Sequence, residues 1–345
     1  MINYTAIQEY ITFQYTLDDK TFFSEDYYIS KLRELLKVPV LDGRVGTFLS
    51  GGIDSSIVTI LAAKKYTNLK TFTGAFDVLG FDETEHAYRV ADFCGVKNYT
   101  VYPTYNDFVD IMPRLVRHLE EPCAGPGIIG QYMVARFASN EVDIMLSGQG
   151  ADELFGGYTR YSVAKTDREY FNLIKRSDAS TLSGDFQFDE EVMFERFQEI
   201  FNKPNTSFYN KMLYYDMAVS LPAILRVDDC VSSMVGIRFI SPFLDNLVVK
   251  LATNLPIKLK QNKYILRETF KDILPTKIYE RKDKMGFPVP IHSWSRDFFR
   301  DVLLSKTCRE RGLFNMKRVE ELIDTEHSFG RQLWGLLNIE LWFRK

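Results

Sequence analysis

Cysteine and histidine are scarce in this chain, each occurring four times in 345 residues. The cysteines include no CxxC pair, which argues against a structural zinc site and against a disulfide framework. Their positions are Cys94, Cys123, Cys230 and Cys308. His86 and His118 fall in segments with a helical pattern, so we expect surface or packing roles for them rather than metal ligation.

The sequence also lacks a long apolar run and a strong excess of charge. The longest apolar stretch, around SIVTILAA, is too short to span a bilayer. The first residues, MINYTAIQEY, show neither the basic nor the apolar region of a signal peptide. The formal net charge is −3 with both signs mixed along the chain, so no nucleic-acid surface is indicated. We therefore expect a cytoplasmic protein that binds neither nucleic acid nor membrane.

What the chain does have is enough apolar residues, 46%, for a sizeable core, and an alternation of strand and helix patterns from Arg44 to about Tyr158. Four strands are expected, at RVGTFLS, KTFTGAF, KNYTVYP and EVDIMLS. This pattern predicts an α/β fold with a parallel sheet and helices on both faces, followed by a mostly helical C-terminal part. We expect three parts: a lead-in over residues 1–30 that packs on the rest, an α/β nucleotide-binding region over 31–160, and a mostly helical part over 161–345.

The stretch FLSGGIDSS, residues 48–56, joins the first strand to a helix through two glycines. Ligands of parallel sheets bind beyond the carboxyl ends of the strands. Backbone N–H groups at the glycines, the positive end of the helix and the hydroxyls of Ser50, Ser55 and Ser56 would form an anion nest. Asp54 would repel a phosphate there unless a bridging Mg²⁺ lay between them. The alternative is that Asp54 or Ser55 only caps the helix, but the flanking strand and helix favour a ligand.

This motif resembles the PP-loop, SGGxDS, of ATP pyrophosphatases, which cut ATP between its α- and β-phosphates. The lysine of a γ-phosphate-gripping loop is missing after the last glycine, which agrees with that resemblance. The family includes enzymes that make GMP, NAD and argininosuccinate, tRNA thiolases and asparagine synthetases. The first motif alone does not choose among them.

Further motifs resemble the synthetase domain of asparagine synthetases. LSGQGADELFGGY (146–158) resembles SGxGxDExFGGY, and RVDDCVSSMVGIRFISPFLD (226–245) resembles the stretch that ends in PFLD. RKDKMGFPVP (281–290) resembles the lysine loop, K-x-G-F, and EYITFQYTLDDKTFF (9–23) resembles the segment that follows the glutaminase domain. The motifs occur in the family's order and cover nearly the whole chain. The chain is therefore identified as similar to this family without its N-terminal glutaminase domain.

The resemblance implies a two-step reaction with ATP and Mg²⁺. A substrate carboxylate attacks the α-phosphorus, pyrophosphate leaves, and an acyl-adenylate forms. Ammonia or an amine then displaces AMP to give an amide. Such an enzyme is a ligase that forms a C–N bond.

The resemblance also implies the site residues. Those assigned to ATP and pyrophosphate are Ser50, Gly51, Gly52, Asp54, Ser55, Ser147, Gly148 and Lys284. Asp54 and Asp152 would share Mg²⁺, which neutralises the leaving group. Lys284 would stabilise charge in the transition state; on its own, it would be read as a solvated loop lysine.

The chain departs from the family at several positions. Residue 2 is isoleucine instead of the glutaminase cysteine, and the region after FQY is shorter. Gln149 stands where asparagine synthetases have glutamate and β-lactam synthetases have tyrosine, and Arg238 and Ile240 replace the acid and the arginine of ExR. Gln149 cannot act as a general base, although an amine can attack first and lose its proton later. Gln149 and Arg238 are candidates for the acceptor pocket, and the acceptor need not be aspartate.

Several alternatives stay open at this stage. The small-molecule carboxylate could be an amino acid, a sugar acid or a natural-product intermediate. The nitrogen could come from ammonia, from a separate glutaminase subunit or from an amine. A tRNA thiolase is disfavoured by the missing cysteine pairs and basic stripe. A non-catalytic partner domain is disfavoured because Asp54, Asp152 and Lys284 occur together.

Overall fold

The computed structural model describes residues 23–76, 84–122, 125–175, 179–281, 289, 291–325 and 331–344. Residues 9–22 of the N-terminal motif, Cys123 and Lys284 lie outside these ranges. None of the helices within them is long and apolar enough to cross a bilayer.

A single sheet of five parallel strands, in the order β3-β2-β1-β4-β5, organises the structure. The strands are β1 (Val45–Phe48), β2 (Lys70–Gly74), β3 (Lys97–Val101), β4 (Ile144–Leu146) and β5 (Arg238–Ile240). Thr47 in the central strand pairs with Thr71 of β2 on one side and Leu146 of β4 on the other. The strand order reverses at β1, so the crevice that binds ligands in such sheets lies between the loops that follow β1 and β4.

Helices fill the connections and most of the C-terminal half. Those up to residue 163 are α1 (Glu25–Leu35), α2 (Ile53–Ala63), α3 (Thr84–Cys94), α4 (Tyr105–Leu119), α5 (Gly127–Ala138), α6 (Ala151–Leu154) and α7 (Arg160–Val163). Those that follow are α8 (Asp167–Ile174), α9 (Glu190–Phe201), α10 (Phe208–Tyr215), α11 (Leu221–Val235), α12 (Asn246–Thr253), α13 (Ile257–Lys260), α14 (Tyr264–Phe270), α15 (Thr276–Tyr279), α16 (Ile291–Leu303), α17 (Lys306–Arg311), α18 (Met316–Thr325) and α19 (Arg331–Phe343). A π-helical turn, Asp216–Ser220, joins α10 to α11.

Local sequence explains where two of the helices begin or end. Thr104 caps α4: its Oγ1 accepts a hydrogen bond from Asp107 N at 3.2 Å, and the Asp107 carboxylate accepts one from Thr104 N at 2.9 Å. Helix α11 ends at Gly236, whose φ of 72° is the left-handed conformation that favours glycine. Such caps fix the ends of helices that pack on the sheet.

Both faces of the sheet are covered by helices, which confirms the predicted fold class. Successive residues of β4 point to opposite faces: Ile144 and Leu146 belong to the same apolar cluster as α2, whereas Met145 packs with Phe72 and α5. On the first face, Thr47 of β1 also hydrogen-bonds to Thr59 of α2, with 2.8 Å between their oxygens. The C-terminal part is mostly helical, as predicted.

One strand lies beyond Tyr158, in the part of the chain that was predicted to be mostly helical. Strand β5 lies far beyond that point and pairs with β4, where Met145 is opposite Phe239. It has three residues, as β4 has, but it begins with Arg238 and lacks the continuous apolar run that marks β4 in the sequence. The sheet therefore takes strands from both of the regions expected at 31–160 and 161–345.

Candidate active site

The loop that follows β1 requires glycine at position 51. Gly51 has a φ of 71°, and a Cβ atom there would lie 2.4 Å from His86 Cβ and 2.7 Å from Ala87 N. Both the backbone conformation and the space therefore exclude a side chain. Helix α3 packs directly on this loop.

Hydrogen bonds within the same loop hold its serines. Ser55 Oγ accepts a hydrogen bond from Ser50 N at 3.2 Å and donates one to Gly52 O at 3.1 Å. The Ser50 and Ser55 hydroxyl oxygens are also 3.2 Å apart. Because α2 begins at Ile53, its positive end and its first N–H groups lie at the loop. The predicted nest residues Ser50, Gly51, Gly52 and Ser55 are thus brought together, and an anion fits this environment.

The loop that follows β4 contacts the first loop directly. Ser147 N donates to Ile240 O at 2.9 Å, so this loop starts between β1 and β5. A Cβ at Gly148 would lie 2.8 Å from Asp54 Cβ and 3.1 Å from Ser55 N. The predicted residues Ser147 and Gly148 therefore lie against the start of α2, at the point where the strand order reverses.

Asp54 and Asp152, the two acids that were predicted to bind a shared metal ion, both form ion pairs with one lysine, Lys263. Its Nζ lies 2.6 Å from Asp54 Oδ2 and forms a second ion pair with Asp152 Oδ1. The side chains of Lys263, Asp54 and Asp152 are 4%, 7% and 19% exposed. Water screens such a buried cluster weakly. Lys263 therefore offsets repulsion between the two carboxylates.

The backbone around Lys263 is built to bring its side chain to the acids. Asn262 and Lys263 have φ values of 52° and 59°, which are uncommon for residues with side chains. Lys263 N donates to Phe155 O at 2.9 Å, which ties this turn to the FGGY segment. A Cβ at Gly157 would lie 2.1 Å from Lys263 Cε and 2.0 Å from Asp152 Oδ1. The second glycine of FGGY therefore leaves the space that the ion pairs occupy.

Asp54 and Asp152 fit a hard cation such as Mg²⁺. Their oxygens already converge on one positive charge, and carboxylate oxygens are ligands that Mg²⁺ prefers. Within the described ranges, no group of three or more His, Cys, Asp or Glu side chains is arranged to hold a metal by itself. Phosphate oxygens bound in the neighbouring nest would supply further ligands, as is usual for Mg²⁺ in nucleotide sites.

Gln149 contacts a buried acid that the sequence analysis did not single out, Asp228. Asp228 is 6% exposed, and its Oδ1 accepts hydrogen bonds from Gln131 Nε2 at 2.5 Å and from Gln149 Nε2 at 3.5 Å. Burial raises the pKa of Asp228 to about 6, although the hydrogen bonds from the Gln131 and Gln149 side chains lower it. Ser241 Oγ donates to Gln149 O at 2.6 Å and fixes this part of the loop.

The structure does not bring Arg238 together with Gln149. Arg238 is exposed at the amino end of β5, opposite Ile144, and its N donates to Asp143 O at 3.1 Å. Gln149 follows the carboxyl end of β4, so the two residues lie at opposite ends of the parallel strands. The residue of β5 that lies beside the loops is Ile240.

Lys284 lies outside the described residues, but the chain before it reaches the first loop. Arg281 Nη1 donates to Gly51 O at 3.4 Å. Arg267 Nη2 in turn donates to Arg281 O at 2.9 Å. The start of the predicted lysine loop is therefore held at the nest.

Glu153, next to Asp152, is a second acid that sequence reasoning missed. It is 2% exposed and accepts a hydrogen bond from the Tyr158 hydroxyl at 2.6 Å. Burial and, second, the charge of Asp152 raise the pKa of Glu153 to about 7. Because Glu153 accepts a hydrogen bond from Tyr158, the last residue of the FGGY segment, it holds the loop that follows β4 in place.

Comparison with known proteins agrees with these features. The sequence profile of the asparagine synthase family matches residues 32–344. Asparagine synthetase [glutamine-hydrolyzing] 1 of Bacillus subtilis (strain 168) is 28% identical over 377 aligned positions, which cover 92% of this chain and 59% of the relative. The putative asparagine synthetase [glutamine-hydrolyzing] of Mycobacterium tuberculosis (strain ATCC 25618 / H37Rv) is 30% identical over 87% of this chain and 54% of its own length. The chain thus spans less than two thirds of either relative.

Among solved structures, an NMN synthetase from Francisella tularensis aligns with a TM-score of 0.29 and 17% identity, over 62% of this chain and 96% of that chain. A score this low carries no argument, so the assignment depends on the sequence match. That match extends over nearly all of the chain, as the motifs predicted. The chain belongs to the asparagine synthase family.

Proposed function

We propose that the chain is an ATP-dependent ligase that forms a C–N bond by activating a carboxylate. One observation carries this proposal. Asp54 and Asp152, from two glycine-rich loops, both pair with the buried ammonium group of Lys263 beside the N-terminus of α2. A cation between two acids, next to an anion nest, suits the pyrophosphate of ATP. Family membership supports ATP-dependent amidation in general.

In this proposal the loop after β1 holds the pyrophosphate end of ATP. Backbone N–H groups at Gly51 and Gly52 and the hydroxyls of Ser50 and Ser55 bind its oxygens. When bound between Asp54 and Asp152, Mg²⁺ would neutralise charge on the leaving pyrophosphate. Lys263 places a fixed positive charge beside the same two acids, and Lys284 would act on the charge that develops in the transition state.

The chemistry consists of two displacements. A carboxylate oxygen attacks the α-phosphorus, the bond to the bridging oxygen breaks, and pyrophosphate leaves. Nitrogen then attacks the carbonyl carbon of the acyl-adenylate, the bond from that carbon to the phosphate oxygen breaks, and AMP leaves. The products of the two steps together are an amide, AMP, pyrophosphate and a proton.

The substrates are proposed only by class. The acceptor is a small-molecule carboxylate, either an amino acid or a sugar or natural-product acid, since Gln149 differs from the family residue. The nitrogen is ammonia or an amine, which a separate glutaminase subunit could supply. We expect this chain alone to use free ammonia or an amine and not glutamine. Release of glutamate from glutamine, at a rate that matches AMP formation, would contradict this expectation.

Exchange of radiolabelled pyrophosphate into ATP tests the proposal. Purified protein with Mg²⁺ should catalyse exchange only when the correct member of a panel of carboxylic acids is present. Asp54→Asn and Asp152→Asn should each abolish the exchange while circular dichroism shows an intact fold. Asp42→Asn, a change at an exposed residue near β1, is the control and should exchange like wild type. Exchange with no acid, or wild-type exchange in a folded Asp54→Asn variant, would contradict the assignment.

A further inference from the structure

A buried carboxylate lies close to the proposed adenylation site, and no cation among the described residues balances it. Asp228, on α11, is 6% exposed, and its hydrogen-bond partners are the neutral side chains of Gln131 and Gln149. Within the described part of the chain, no lysine, arginine or histidine forms an ion pair with it. Buried acids are normally paired with a positive charge, so this one is suited to a ligand or to proton transfer.

One oxygen of this carboxylate remains available. Gln131 and Gln149 both donate to Oδ1. Oδ2 forms no hydrogen bond with the residues that the structure describes, yet it is not sealed from solvent. The two amides therefore hold the carboxylate in place by one oxygen and leave the other to meet a small molecule.

The position of Asp228 relative to the two loops gives this oxygen a role. Gln149 follows Gly148, whose backbone lies against Asp54 and Ser55 at the start of α2. The contact between Gln149 and Asp228 is therefore one residue away from the contact between the two loops. A group held at Asp228 lies at the border of the site where the acyl-adenylate would form.

The second displacement needs a group that accepts a proton. Nitrogen that attacks a carbonyl carbon must lose one proton to give a neutral amide, and Gln149 cannot take it. We propose that Asp228 binds the nitrogen nucleophile and accepts this proton, and that Gln131 and Gln149 orient its carboxylate. This inference depends on the proposed function. The ligand is ammonium or a primary alkylammonium ion.

The step balances without a further reactant. An ammonium ion that binds at Oδ2 loses one proton to solvent and becomes neutral ammonia or a neutral amine. The amine forms the C–N bond, the bond from the carbonyl carbon to the phosphate oxygen breaks, and AMP leaves with the electron pair. The nitrogen passes its second proton to the Asp228 carboxylate as the tetrahedral intermediate collapses, and Asp228 then releases this proton to solvent.

The electrostatic surroundings of Asp228 suit this exchange. Burial raises its pKa to about 6, so the carboxylate is mostly ionised at neutral pH yet is a stronger base than an exposed aspartate. Asp229, the next residue on α11, raises the pKa further. Elsewhere on α11, Arg226 faces Glu121 at 3.2 Å, and His118 of α4 bonds to Ser233 at 2.8 Å. Within the described ranges, no positive charge opposes the effect of burial.

Asp228→Asn separates the two half-reactions. With a carboxylate that supports pyrophosphate exchange, the variant should exchange within about threefold of wild type. It should form the amide from ammonium chloride, or the hydroxamate from hydroxylamine, about 10²- to 10³-fold more slowly. The matched control is the same substitution at the adjacent residue, Asp229→Asn, because Asp229 is exposed. It should leave the rates of pyrophosphate exchange and of amide formation nearly unchanged. Amide formation at the wild-type rate in Asp228→Asn would overturn the proposal.

A pH profile distinguishes a base from a residue that only supports the fold. At a constant concentration of neutral hydroxylamine, the wild-type rate of amide formation should rise with pH through about 6 and then level off. Asp228→Asn should lack this rise, and added formate should restore part of its rate. Equal losses of exchange and amide formation, with no change in the pH profile, would assign Asp228 a structural role and overturn the inference.

A binding measurement needs no acceptor carboxylate. Above neutral pH, methylammonium chloride should raise the thermal midpoint of wild type and of Asp229→Asn relative to sodium chloride of equal ionic strength. Asp228→Asn should show no such difference. The same response in Asp228→Asn would overturn cation binding at this residue. If no acid supports pyrophosphate exchange, the proposed function fails, while this measurement still decides the role of Asp228.

Discussion

Lys263 Nζ lies 2.6 Å from Asp54 Oδ2, although 209 positions separate the two residues in the chain. The same ammonium group pairs with Asp152, so one lysine joins the ends of two strands to a turn from the C-terminal half. Lys263 is therefore needed to offset the repulsion between two acids that the fold buries together.

Lys263→Met keeps the length of the side chain but removes its charge. The variant should lose about 3–5 kcal/mol in the free energy of unfolding, because Asp54 and Asp152 both lose their buried ion pair with Lys263. Lys258→Met, at an exposed position in the preceding helix, is the control and should change stability by less than about 0.5 kcal/mol. Urea unfolding measures both. The double variant with Asp54→Asn and Lys263→Met should recover part of the loss in stability. An equal loss in Lys263→Met and in the control Lys258→Met would contradict this account.

Gly157→Ala tests the space that FGGY leaves for the ion pairs. A methyl group there would lie 2.0 Å from Asp152 Oδ1 and 2.1 Å from Lys263 Cε, so the lysine must move. We expect a loss of stability of about 1–3 kcal/mol, as for other overpacked sites. The matched control is Gly335→Ala in α19, where a Cβ meets no atom of the described residues within 4 Å. There alanine should stabilise the helix by up to about 1 kcal/mol. Thermal unfolding that shows the same sign for both would refute the crowding at Gly157.

Glu153 should make stability depend on pH. Its pKa is about 7 in the folded protein against an ordinary value of 4.5, so between these values the folded state holds a proton that the unfolded state releases. The free energy of unfolding therefore falls as pH rises through this window. Glu153→Gln should remove this part of the slope and gain stability relative to wild type at high pH more than at low pH. Glu195→Gln, at an exposed residue, should run parallel to wild type. A parallel curve for Glu153→Gln would refute the shift.

Lys284→Ala should act on turnover more than on ATP binding. We expect kcat to fall by about 10²-fold, as for the loss of one electrostatic stabiliser, with a smaller change in the KM for ATP. Lys282→Ala, two positions earlier in the same stretch, serves as the control and should keep most of its activity. Steady-state release of AMP measures both constants. A large rise in KM with unchanged kcat would instead assign Lys284 to ATP binding in the ground state.

The sequence predicted the parts of the fold that rest on local patterns. Strands β1 to β4 follow alternating or apolar runs, and the two loops are marked by glycines whose backbone cannot carry a side chain, as at Gly51 and Gly148. Residues that act over long sequence distances gave no such signal. Lys263 is an ordinary lysine in QNKYILR, and only the need of two buried acids for a cation points to it. Asp228 stood beside Asp229 in a quoted motif, and helix geometry alone decides which of the two faces Gln149.

Arg238 shows a different limit. Its motif suggested that Arg238 lies in the acceptor pocket. In a strand as short as β5, however, a shift of two residues decides whether a side chain lies at the amino or the carboxyl end of the strands. Arg238 begins the strand and Ile240 ends it, and only the end lies beside the loops. Knowledge of the register would have been needed to separate them.

The late arrival of β5 has a consequence for biosynthesis. When a ribosome has completed β4, the strand that will pair with it has not yet been translated; at about 5–20 residues per second, the wait lasts on the order of ten seconds. During that interval Ile144, Met145 and Leu146, all buried in the finished protein, form an apolar sheet edge on the nascent chain. Such edges recruit other strands. We expect truncation before residue 238 to give aggregates, and chaperones to engage the chain while its middle helices are still emerging.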